Sequence, residues 1–354
     1  MNNKKRVAIV TITNDGYNYG NRLQNYALQK VLEQLGYHVE TLNRPIKGNQ
    51  RNLWDNRKSF FHTLIRFRTT ILHLKSVSFY FWNTRYIHWS RILATDENLN
   101  SFVDRYDFFV AGSDQIWNPK FRWGLDPYMY LQFVPSNKRI AYAASIGIES
   151  YDDNSQLIAQ KCFWQNWKAI SARESSGSGI IGKCIETDVP VLLDPTLILT
   201  ASYWRKFVKH IRTPKQYILV YILGNQTDEY QNYIHELSVA RGCQVIDMMK
   251  DIKYAISNPS QFVALLDNAD YVVTDSFHAF VFSTLFHKEF TFLNRIGLGI
   301  NMNSRISTLI HKLNMENCEW DTITEFKNID WDRVDAALKQ EREIAYAFLR
   351  KNLR

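Results

Sequence analysis

Short apolar runs alternate with amphipathic stretches along most of this chain. The run Arg6–Thr13 is apolar enough for a strand buried on both faces, and it is followed by Leu28, Val31, Leu32 and Leu35 at helical spacing. A glycine then ends this helix, and a second strand follows it. Strands and helices that alternate in this way predict a parallel sheet with helices packed on its faces.

The alternation continues in two series, with a break near residues 195–215. The first series has further strands at Tyr37–Leu42, Asp107–Ala111, Ile140–Ala144 and Ala169–Ala172, and a helix at Ser155–Lys168. The second has strands at Tyr217–Leu223, Cys243–Asp247, Tyr271–Thr274 and Phe290–Leu293, with helices at Asp228–Arg241, Gln261–Asn268, Ser276–His287 and Asp330–Lys351.

Two series of strands and helices predict two domains. A chain of 354 residues also exceeds the roughly 250–300 residues at which single cores stop growing. The predicted fold class is α/β, with two Rossmann-like domains facing each other across a cleft. We place the N-terminal domain at residues 1–200 with a basic and aromatic helical insertion at about 51–93, the C-terminal domain at 201–329, and a closing helix at 330–354.

The net charge of +8 is concentrated in one stretch. Between Arg51 and Arg91 there are eight Lys and Arg residues against a single acid, Asp55, and many aromatic residues lie among them. No nucleic-acid-binding motif accompanies these charges, so we exclude a nucleic-acid partner. Three interpretations remain for the segment 51–91: peripheral contact with a membrane, contact with a sugar-phosphate acceptor, or a helix pair with one apolar and one solvated face.

Several other classes of protein are excluded. No apolar run reaches the roughly 18–20 residues of a membrane span, and the N-terminal apolar stretch has no cleavage site, as expected of a first strand. The cysteines form no C-x-x-C pair and the histidines no metal-binding pair, so we expect a cytoplasmic protein without a metal or a cofactor. Residues 177–182 fit G-x-G-x-x-G. They do not follow the first strand and they do not precede a clear helix, which argues against a NAD site.

Polar residues and glycines follow several of the predicted strands. In doubly wound sheets, ligands bind outside the carboxyl ends of the strands, where helix N-termini point. The turn after the first strand is rich in Gly and Asn and carries Arg22, which suits an anion, although a plain capped turn has the same composition. The candidate binding residues at the strand ends are Gly20, Asn21, Arg22, Gln24, Gly112, Ser113, Gln115, Ser145, Gly147, Arg173 and Ser276.

One histidine follows a predicted strand and lies in the first turn of the next helix. This residue is His278, in the segment Asp275-Ser276-Phe277-His278. A lone histidine is more commonly a packing residue, but a position above a strand end favours a catalytic role.

Six segments at these strand ends resemble, in this order, those of the polysaccharide pyruvyl transferase family. They are Tyr19–Leu28, Gly112–Pro119, Ala143–Gly147, Ser171–Glu174, Leu193–Thr196 and Thr274–His278. The resemblance implies a GT-B-like fold whose C-terminal helix crosses back to the first domain. It also implies transfer of the enolpyruvyl group of phosphoenolpyruvate to a sugar of a bacterial surface polysaccharide, which forms a pyruvate ketal and releases phosphate. The acceptor is then a lipid-linked or free saccharide.

The chain departs from the family pattern at Ser276, where many members carry an Arg two residues before the histidine. Phosphoenolpyruvate has a carboxylate and a phosphate, and Arg is suited to both. Arg22, Arg173 and Arg305 are the candidates to replace the missing Arg, and Arg295 is a weaker one. If none of them does so, the donor differs or the activity is lost.

The family chemistry assigns roles to the candidate residues. His278 would act as general acid, with Asp275 keeping it protonated, and Asp114 or Glu174 would take the proton of the attacking sugar hydroxyl. A purely structural role for Glu174 and Asp194 is the alternative. Two other functions stay open: a GT-B glycosyltransferase that uses a nucleotide sugar, and a non-catalytic saccharide-binding protein of a capsule pathway.

Overall fold

Two sheets of five strands each form the framework of the part of the chain that the structure describes. The computed structural model describes residues 4–13, 17–44, 67–151, 154–208, 210–297, 303–315 and 322–354. Within these residues the chain completes the first sheet before it enters the second, between Ala172 and Tyr217. The predicted α/β fold with two Rossmann-like sheets is therefore confirmed, while the domain boundaries stay a prediction.

The first sheet is parallel throughout, with the strand order β2-β1-β3-β4-β5. Its central strands are buried along nearly their whole length, because helices cover both faces of a doubly wound sheet. The strands are β1 (Arg6–Val10), β2 (His38–Thr41), β3 (Phe108–Asp114), β4 (Arg139–Ala144) and β5 (Ala169–Ala172).

The second sheet has the order β10-β9-β8-β6-β7. Four of its strands are parallel, but β10 pairs with β9 in the antiparallel sense, an edge strand that the sequence pattern did not predict. Its short run alternates between buried and partly exposed positions, as is usual at a sheet edge. The strands are β6 (Tyr217–Tyr221), β7 (Gln244–Asp247), β8 (Tyr271–Thr274), β9 (Phe290–Leu293) and β10 (Ile323–Phe326).

Capping residues set many of the helix ends. Asn18 accepts a hydrogen bond from the Asn21 amide at the start of α1, and Asn258 and Gln261 form a reciprocal capping box on α10. The helices are α1 (Tyr19–Gln34), α2 (Phe67–Tyr86), α3 (Asn100–Val103), α4 (Asn154–Phe163), α5 (Ser175–Ile185), α6 (Pro195–Ile198), α7 (Ala201–Phe207), α8 (Asp228–Arg241), α9 (Ile252–Ala255), α10 (Pro259–Asn268), α11 (Phe277–Leu285), α12 (Asn303–Lys312) and α13 (Trp331–Asn352). None of them, over the part of the chain described, is long and apolar enough to cross a membrane.

Residues 177–182, which match G-x-G-x-x-G, lie inside α5. The sequence predicts no clear helix after them, and the structure places them within a helix, since α5 extends over Ser175–Ile185. The three glycines lie within the helix and not in the turn that precedes it, so their backbone amides do not form the phosphate-binding turn of a dinucleotide site. Gly177 packs instead on Glu174, whose Oε1 would lie 3.0 Å from a Cβ at this position.

The C-terminal helix α13 returns to the first domain, as predicted. The hydroxyl of Tyr346 donates to Gln34 Oε1 at 2.9 Å, and the Tyr37 hydroxyl donates to the Leu353 carbonyl at 2.5 Å. Arg342 Nε donates to the Leu197 carbonyl at 2.7 Å. These bonds attach the end of the chain to α1, to the residue before β2 and to α6.

Aromatic packing joins the N-terminus of α1 to the second domain. Tyr19 stacks on Phe262 of α10, with ring centroids 4.5 Å apart, and its hydroxyl donates to the Ser257 carbonyl at 3.0 Å. Trp82 of α2 donates from Nε1 to Ser260 Oγ at 2.9 Å. The contacts place the first residues of α1, which follow the carboxyl end of β1, directly against the second domain.

Candidate active site

A buried carboxylate, Asp194, lies at the centre of a polar cluster at the carboxyl ends of the first sheet. Its Oδ1 caps α6 by accepting from the amide and hydroxyl of Thr196, at 3.0 and 2.6 Å. Its Oδ2 accepts from Ser113 Oγ at 2.8 Å and from Arg173 Nη1 at 2.9 Å. Burial raises the pKa of Asp194, but His278, Arg173 and Thr196 outweigh burial and hold that pKa well below its usual value. Asp194 is therefore a fixed negative charge.

His278 of α11 faces this carboxylate across the domain interface. Its Nε2 lies 3.7 Å from Asp194 Oδ2, an ion-pair distance that is too long for a hydrogen bond. The ring packs against Gly20 of α1 so closely that a Cβ on Gly20 would lie 1.9 Å from His278 Nδ1. Only glycine fits at this point of contact between the two domains.

Asp275 does not contact His278 in the way expected from the sequence. Its carboxylate accepts from the amides of Leu223 and Gly224, at 2.7 and 2.8 Å, and from Arg295 Nε at 3.1 Å. These bonds hold the turn after β6 and direct the Asp275 side chain into its own domain. The acid beside His278 is Asp194, because α6 of the first domain lies opposite the start of α11.

Arg173 lies between three carboxylates and is almost fully buried. Besides its bond to Asp194, its Nη2 lies 3.5 Å from Asp114 Oδ1 and its Nε lies 3.9 Å from Glu174 Oε2. Burial lowers the pKa of Arg173, but the three carboxylates raise this pKa by a larger amount, so the net shift is upward. The guanidinium also lies over the Phe277 ring, 4.5 Å from its centroid.

Glu174 holds the loop that follows β4. Its Oε1 accepts from Ser145 Oγ at 3.0 Å, from the Ile146 amide at 2.9 Å and from the Gly147 amide at 3.0 Å. Gly147 has a φ of +68°, a left-handed conformation that favours glycine. One oxygen of the carboxylate is thus committed to the loop, and the other points toward Arg173.

Asp114 ends β3 in the left-handed region, with a φ of +71°. Its Oδ1 accepts from the Gln115 amide at 2.9 Å, and its Oδ2 accepts from Asn21 Nδ2 at 3.4 Å. Its backbone carbonyl accepts from the Ser145 amide at 3.0 Å, which joins the ends of β3 and β4. Such a backbone conformation is sparsely populated for a non-glycine residue and is common at functional sites.

Four other candidates make contacts within the first domain. Arg22 Nη2 donates to the Thr13 carbonyl at 2.8 Å, and its Nη1 donates to Asn21 Oδ1. Gln24 Nε2 donates to Thr11 Oγ1 at 2.9 Å, while Gly112 makes room for Leu28, whose Cδ2 would lie 2.5 Å from a Cβ there. The structure places Gln24 and Gly112 in the interior of the domain. Gln115 bonds to Asn118 and borders the loop at Gly147.

The second domain contributes buried cations to the same region. Arg305 of α12 is nearly fully buried, and burial together with the positive charge of Arg173 lowers its pKa to about 9. The charges of Glu174 and Asp114 also act on Arg305, so it belongs to the same electrostatic neighbourhood. Ser276 caps α11 without a side-chain bond to the helix, and its amide donates to Thr274 Oγ1 at 3.0 Å.

Several buried polar atoms of this cluster have no hydrogen-bond partner among the described residues. They are Arg173 Nε and Nη2, Glu174 Oε2 and His278 Nε2. Buried polar atoms are nearly always paired in proteins, so a group of unpaired ones beside a cleft is suited to a polar ligand. Over the described ranges, no three His, Cys, Asp or Glu side chains are arranged to hold a metal ion. The arrangement can bind an anion and transfer protons.

Two members of the cluster were not among the candidates chosen from the sequence. The sequence leaves the role of Asp194 open between structural and functional, and it assigns no role to Phe277, which lies in the segment Thr274–His278. The signal for Asp194 was an Asp-Pro-Thr sequence after a short apolar run, which is typical of a helix N-terminus. Nothing in the sequence indicates that Phe277 lies under Arg173, because that contact joins the two domains.

Comparisons with known proteins give one family match and several similar folds. A family model described as polysaccharide pyruvyl transferase matches residues 18–295. No curated protein matches the chain.

Among solved structures, the chain is similar to three UDP-GlcNAc 2-epimerases. The enzyme from Methanocaldococcus jannaschii is 12% identical with a TM-score of 0.48, covering 96% of this chain and 99% of that one. The enzyme from Rickettsia bellii is 11% identical with a TM-score of 0.44, covering 96% and 88%. The UDP-GlcNAc-bound enzyme from Neisseria meningitidis is 10% identical with a TM-score of 0.45, covering 98% and 100%. At such identities the likeness concerns the fold alone.

Proposed function

Since the chain belongs to the polysaccharide pyruvyl transferase family, we propose that it moves the enolpyruvyl group of phosphoenolpyruvate onto a sugar of a bacterial surface polysaccharide. The product is a pyruvate ketal, and phosphate is released. The observation that carries this proposal is the cluster around Arg173 and His278, in which three buried nitrogens, Arg173 Nε and Nη2 and His278 Nε2, make no hydrogen bond to the described residues. A small, multiply charged donor supplies the oxygens that such a cluster needs.

Two buried arginines support an anionic donor despite Ser276. Arg173 and Arg305 come from opposite domains, and the segments that carry them are in contact, since the Ser175 amide donates to Thr308 Oγ1 at 3.1 Å. The charge of Arg173 also lowers the pKa of Arg305. The carboxylates of Asp114, Glu174 and Asp194 compensate part of this charge, and Arg173 still has two nitrogens, Nε and Nη2, that make no hydrogen bond to the described residues. We assign the phosphate and the carboxylate of phosphoenolpyruvate to this pair, which then replaces the Arg that many family members carry at position 276.

His278 is proposed to start the reaction as a general acid. It protonates the methylene carbon of phosphoenolpyruvate, so that C2 becomes electrophilic and a sugar hydroxyl adds to it. Asp114 takes the proton of that hydroxyl, because it is slightly more exposed than Glu174, whose Oε1 already holds a loop. The C2–O bond to phosphate then breaks, and a second hydroxyl closes the ketal while its proton passes to the phosphate. Asp194 acts as a positioning residue, because its fixed negative charge lies 3.7 Å from His278 Nε2.

The second domain is poorly suited to the diphosphate of a nucleotide sugar at its first turn. In Rossmann-like domains a diphosphate binds the free amides of the turn between the first strand and the first helix. Here the amides of Leu223 and Gly224, after β6, are already bonded to Asp275. The following helix α8 also begins with Asp228 and Glu229, which repel an anion. These features favour the pyruvyl transferase over the glycosyltransferase.

We further propose that the protein works at the cytoplasmic face of the membrane, through the segment 51–91. Leu74 and Phe81 are 45% and 65% exposed. They lie seven residues apart on α2 and so share a face of this helix. Arg57, Lys58 and Arg66, which carry much of the charge, lie outside the described residues. Reversing these three charges to Glu should abolish sedimentation with anionic vesicles at low salt. If wild-type protein does not sediment with such vesicles, the membrane contact is wrong.

The donor is tested by calorimetry and by phosphate release. Wild-type protein is titrated with phosphoenolpyruvate and, separately, with UDP-GlcNAc, and it is then incubated with phosphoenolpyruvate and a crude lipid-linked oligosaccharide fraction. Binding of phosphoenolpyruvate together with acceptor-dependent phosphate release supports the proposal. Binding of UDP-GlcNAc alone supports a glycosyltransferase, and binding of saccharide without phosphate release supports a non-catalytic role.

A further inference from the structure

A second concave surface lies at the amino ends of β1 and β2, at the opposite end of the first sheet from Asp194. This amino-end cavity has a volume of about 810 Å³, within the roughly 300–1,000 Å³ of typical ligand sites. Among the described residues it is lined by four cationic side chains, Lys4, Arg6, Arg91 and Arg105, and by one carboxylate, Glu40. The family chemistry places no role on this face of the molecule.

The carboxylate neutralises only one of the four cations. Glu40 Oε2 accepts from Arg6 Nη2 at 2.8 Å and from the Tyr106 hydroxyl at 2.6 Å. Lys4, Arg91 and Arg105 have no carboxylate partner within the part of the chain that the structure describes. Three cations from three separate segments of the chain therefore converge on one cavity with their charge uncompensated.

Two buried aromatic rings contact two of the four cations. Arg6 lies 5.1 Å from the centroid of Tyr106, and Arg105 lies 5.7 Å from the centroid of Phe102. Arg105 Nε also donates to the Ser101 carbonyl at 3.1 Å, which orients its guanidinium. Arginine side chains held against aromatic rings lose less freedom when they bind an oxyanion.

We propose that the amino-end cavity binds a phosphate-bearing ligand, with a diphosphate as the chemistry that best matches its three uncompensated cations. A compact group with several negative oxygens can contact all three, whereas a single carboxylate cannot. A lipid carrier diphosphate, a phospholipid headgroup and a free diphosphate share this chemistry. The proposal rests on the lining of the cavity and not on the proposed function of the cleft.

The test is a calorimetric titration with inorganic pyrophosphate at low and high salt. Wild-type protein should bind it, and R91E/R105E should bind about tenfold more weakly or worse, because hydrogen bonds to charged groups are lost. The control R333E/K339E carries the same charge change on exposed positions of α13, outside the cavity lining, and should bind as wild type does. Melting temperatures establish that each variant is folded, and the single variant K4E replaces R91E/R105E if the latter does not fold.

A second titration separates this cavity from the Asp194 cluster. If Arg173→Lys loses pyrophosphate binding while R91E/R105E keeps it, the ion binds in the cleft and the inference is wrong. Absence of binding by wild-type protein, or equal losses in R91E/R105E and R333E/K339E, overturns it as well. Sedimentation with phosphatidylglycerol vesicles identifies the source, and here the variant is Arg105→Glu, because Arg105 lines the cavity but lies outside the segment 51–91. Vesicle binding that is lost in this variant indicates a headgroup, and pyrophosphate binding alone indicates a carrier or free diphosphate. Vesicle binding without pyrophosphate binding overturns the proposal in favour of a general membrane surface.

Discussion

The carboxyl ends of the two sheets carry similar ion pairs with different surroundings. In the first, Asp194 pairs with Arg173 at 2.9 Å, and in the second, Asp275 pairs with Arg295 at 3.1 Å. Both oxygens of the Asp275 carboxylate accept hydrogen bonds, from Arg295 and from the turn after β6. In contrast, two nitrogens of Arg173 make no hydrogen bond to the described residues. We call the Asp275–Arg295 pair closed, because its carboxylate holds a loop, and the Asp194–Arg173 pair open, because its arginine has donors left at a cleft. An open pair can bind a ligand.

The largest difference is expected between two histidines of the second domain. His278→Asn removes the proposed general acid and should lower turnover by about 10²–10⁴-fold, with little change in phosphoenolpyruvate affinity. His287→Asn is the matched control, since His287 is exposed, pairs with Asp335 at 3.0 Å and stacks on Trp331. Turnover rates and calorimetric affinities of both variants are compared. A His278→Asn enzyme with more than about a tenth of normal turnover would return His278 to a packing role.

Arg173 should contribute to the affinity for phosphoenolpyruvate, and Arg295 should contribute to the stability of the fold. Arg173→Lys keeps the charge but loses the planar fork, so phosphoenolpyruvate affinity should fall by about 10–100-fold. Arg295→Lys should leave affinity unchanged and lower the melting temperature instead, because it weakens the turn held by Asp275. Calorimetry and thermal unfolding of both variants measure this contrast. Equal losses of affinity would show that the distinction between the open and the closed pair is mistaken.

The negative charge on Asp194 should make the free energy of unfolding fall as the pH is lowered. Burial opposes ionisation, but His278, Arg173 and Thr196 lower the folded pKa of Asp194 below its unfolded value. The stabilisation is thus complete above the unfolded pKa of about 3.9 and is lost as the pH falls through the folded pKa, by a free energy on the order of 2 kcal/mol. Denaturant unfolding between pH 5 and 2 should show a shallower decline for Asp194→Asn than for wild type, and parallel curves would contradict this.

The smallest effects compare two glycines. Gly20→Ala places a methyl group against His278 and should cost about 1–3 kcal/mol of stability, with a loss of turnover. Gly179→Ala lies in α5 with open space around its Cβ and should stabilise the protein by about 0.5–1 kcal/mol, with turnover unchanged. Chemical denaturation and phosphate release report both. A Gly20→Ala enzyme with normal turnover would show that the contact between α1 and His278 is not part of the site.

The order of strands and helices was determined by the sequence, because hydrophobic periodicity and helix capping depend only on residues that are close in the chain. Helix α8 extends over Asp228–Arg241 as predicted, between a Thr cap and Gly242 with a φ of +61°. The segments at the strand ends were also visible, since chain polarity alone places them at one edge of a parallel sheet. Strand β10 was missed because its antiparallel pairing depends on a neighbour that periodicity does not reveal.

Only the tertiary structure decided which polar side chains meet. His278 lies beside Asp194, which is far from it in the sequence, and not beside Asp275, which is three residues away. Arg22 bonds to the Thr13 carbonyl in its own domain, while Arg305 comes close to Arg173 from the other domain. Residue types and spacing name the possible ligands of an anion, but packing across the domain interface selects among them. The physical reason is that hydrogen bonds and charge pairs act over a few ångströms, and those distances are set by non-local contacts.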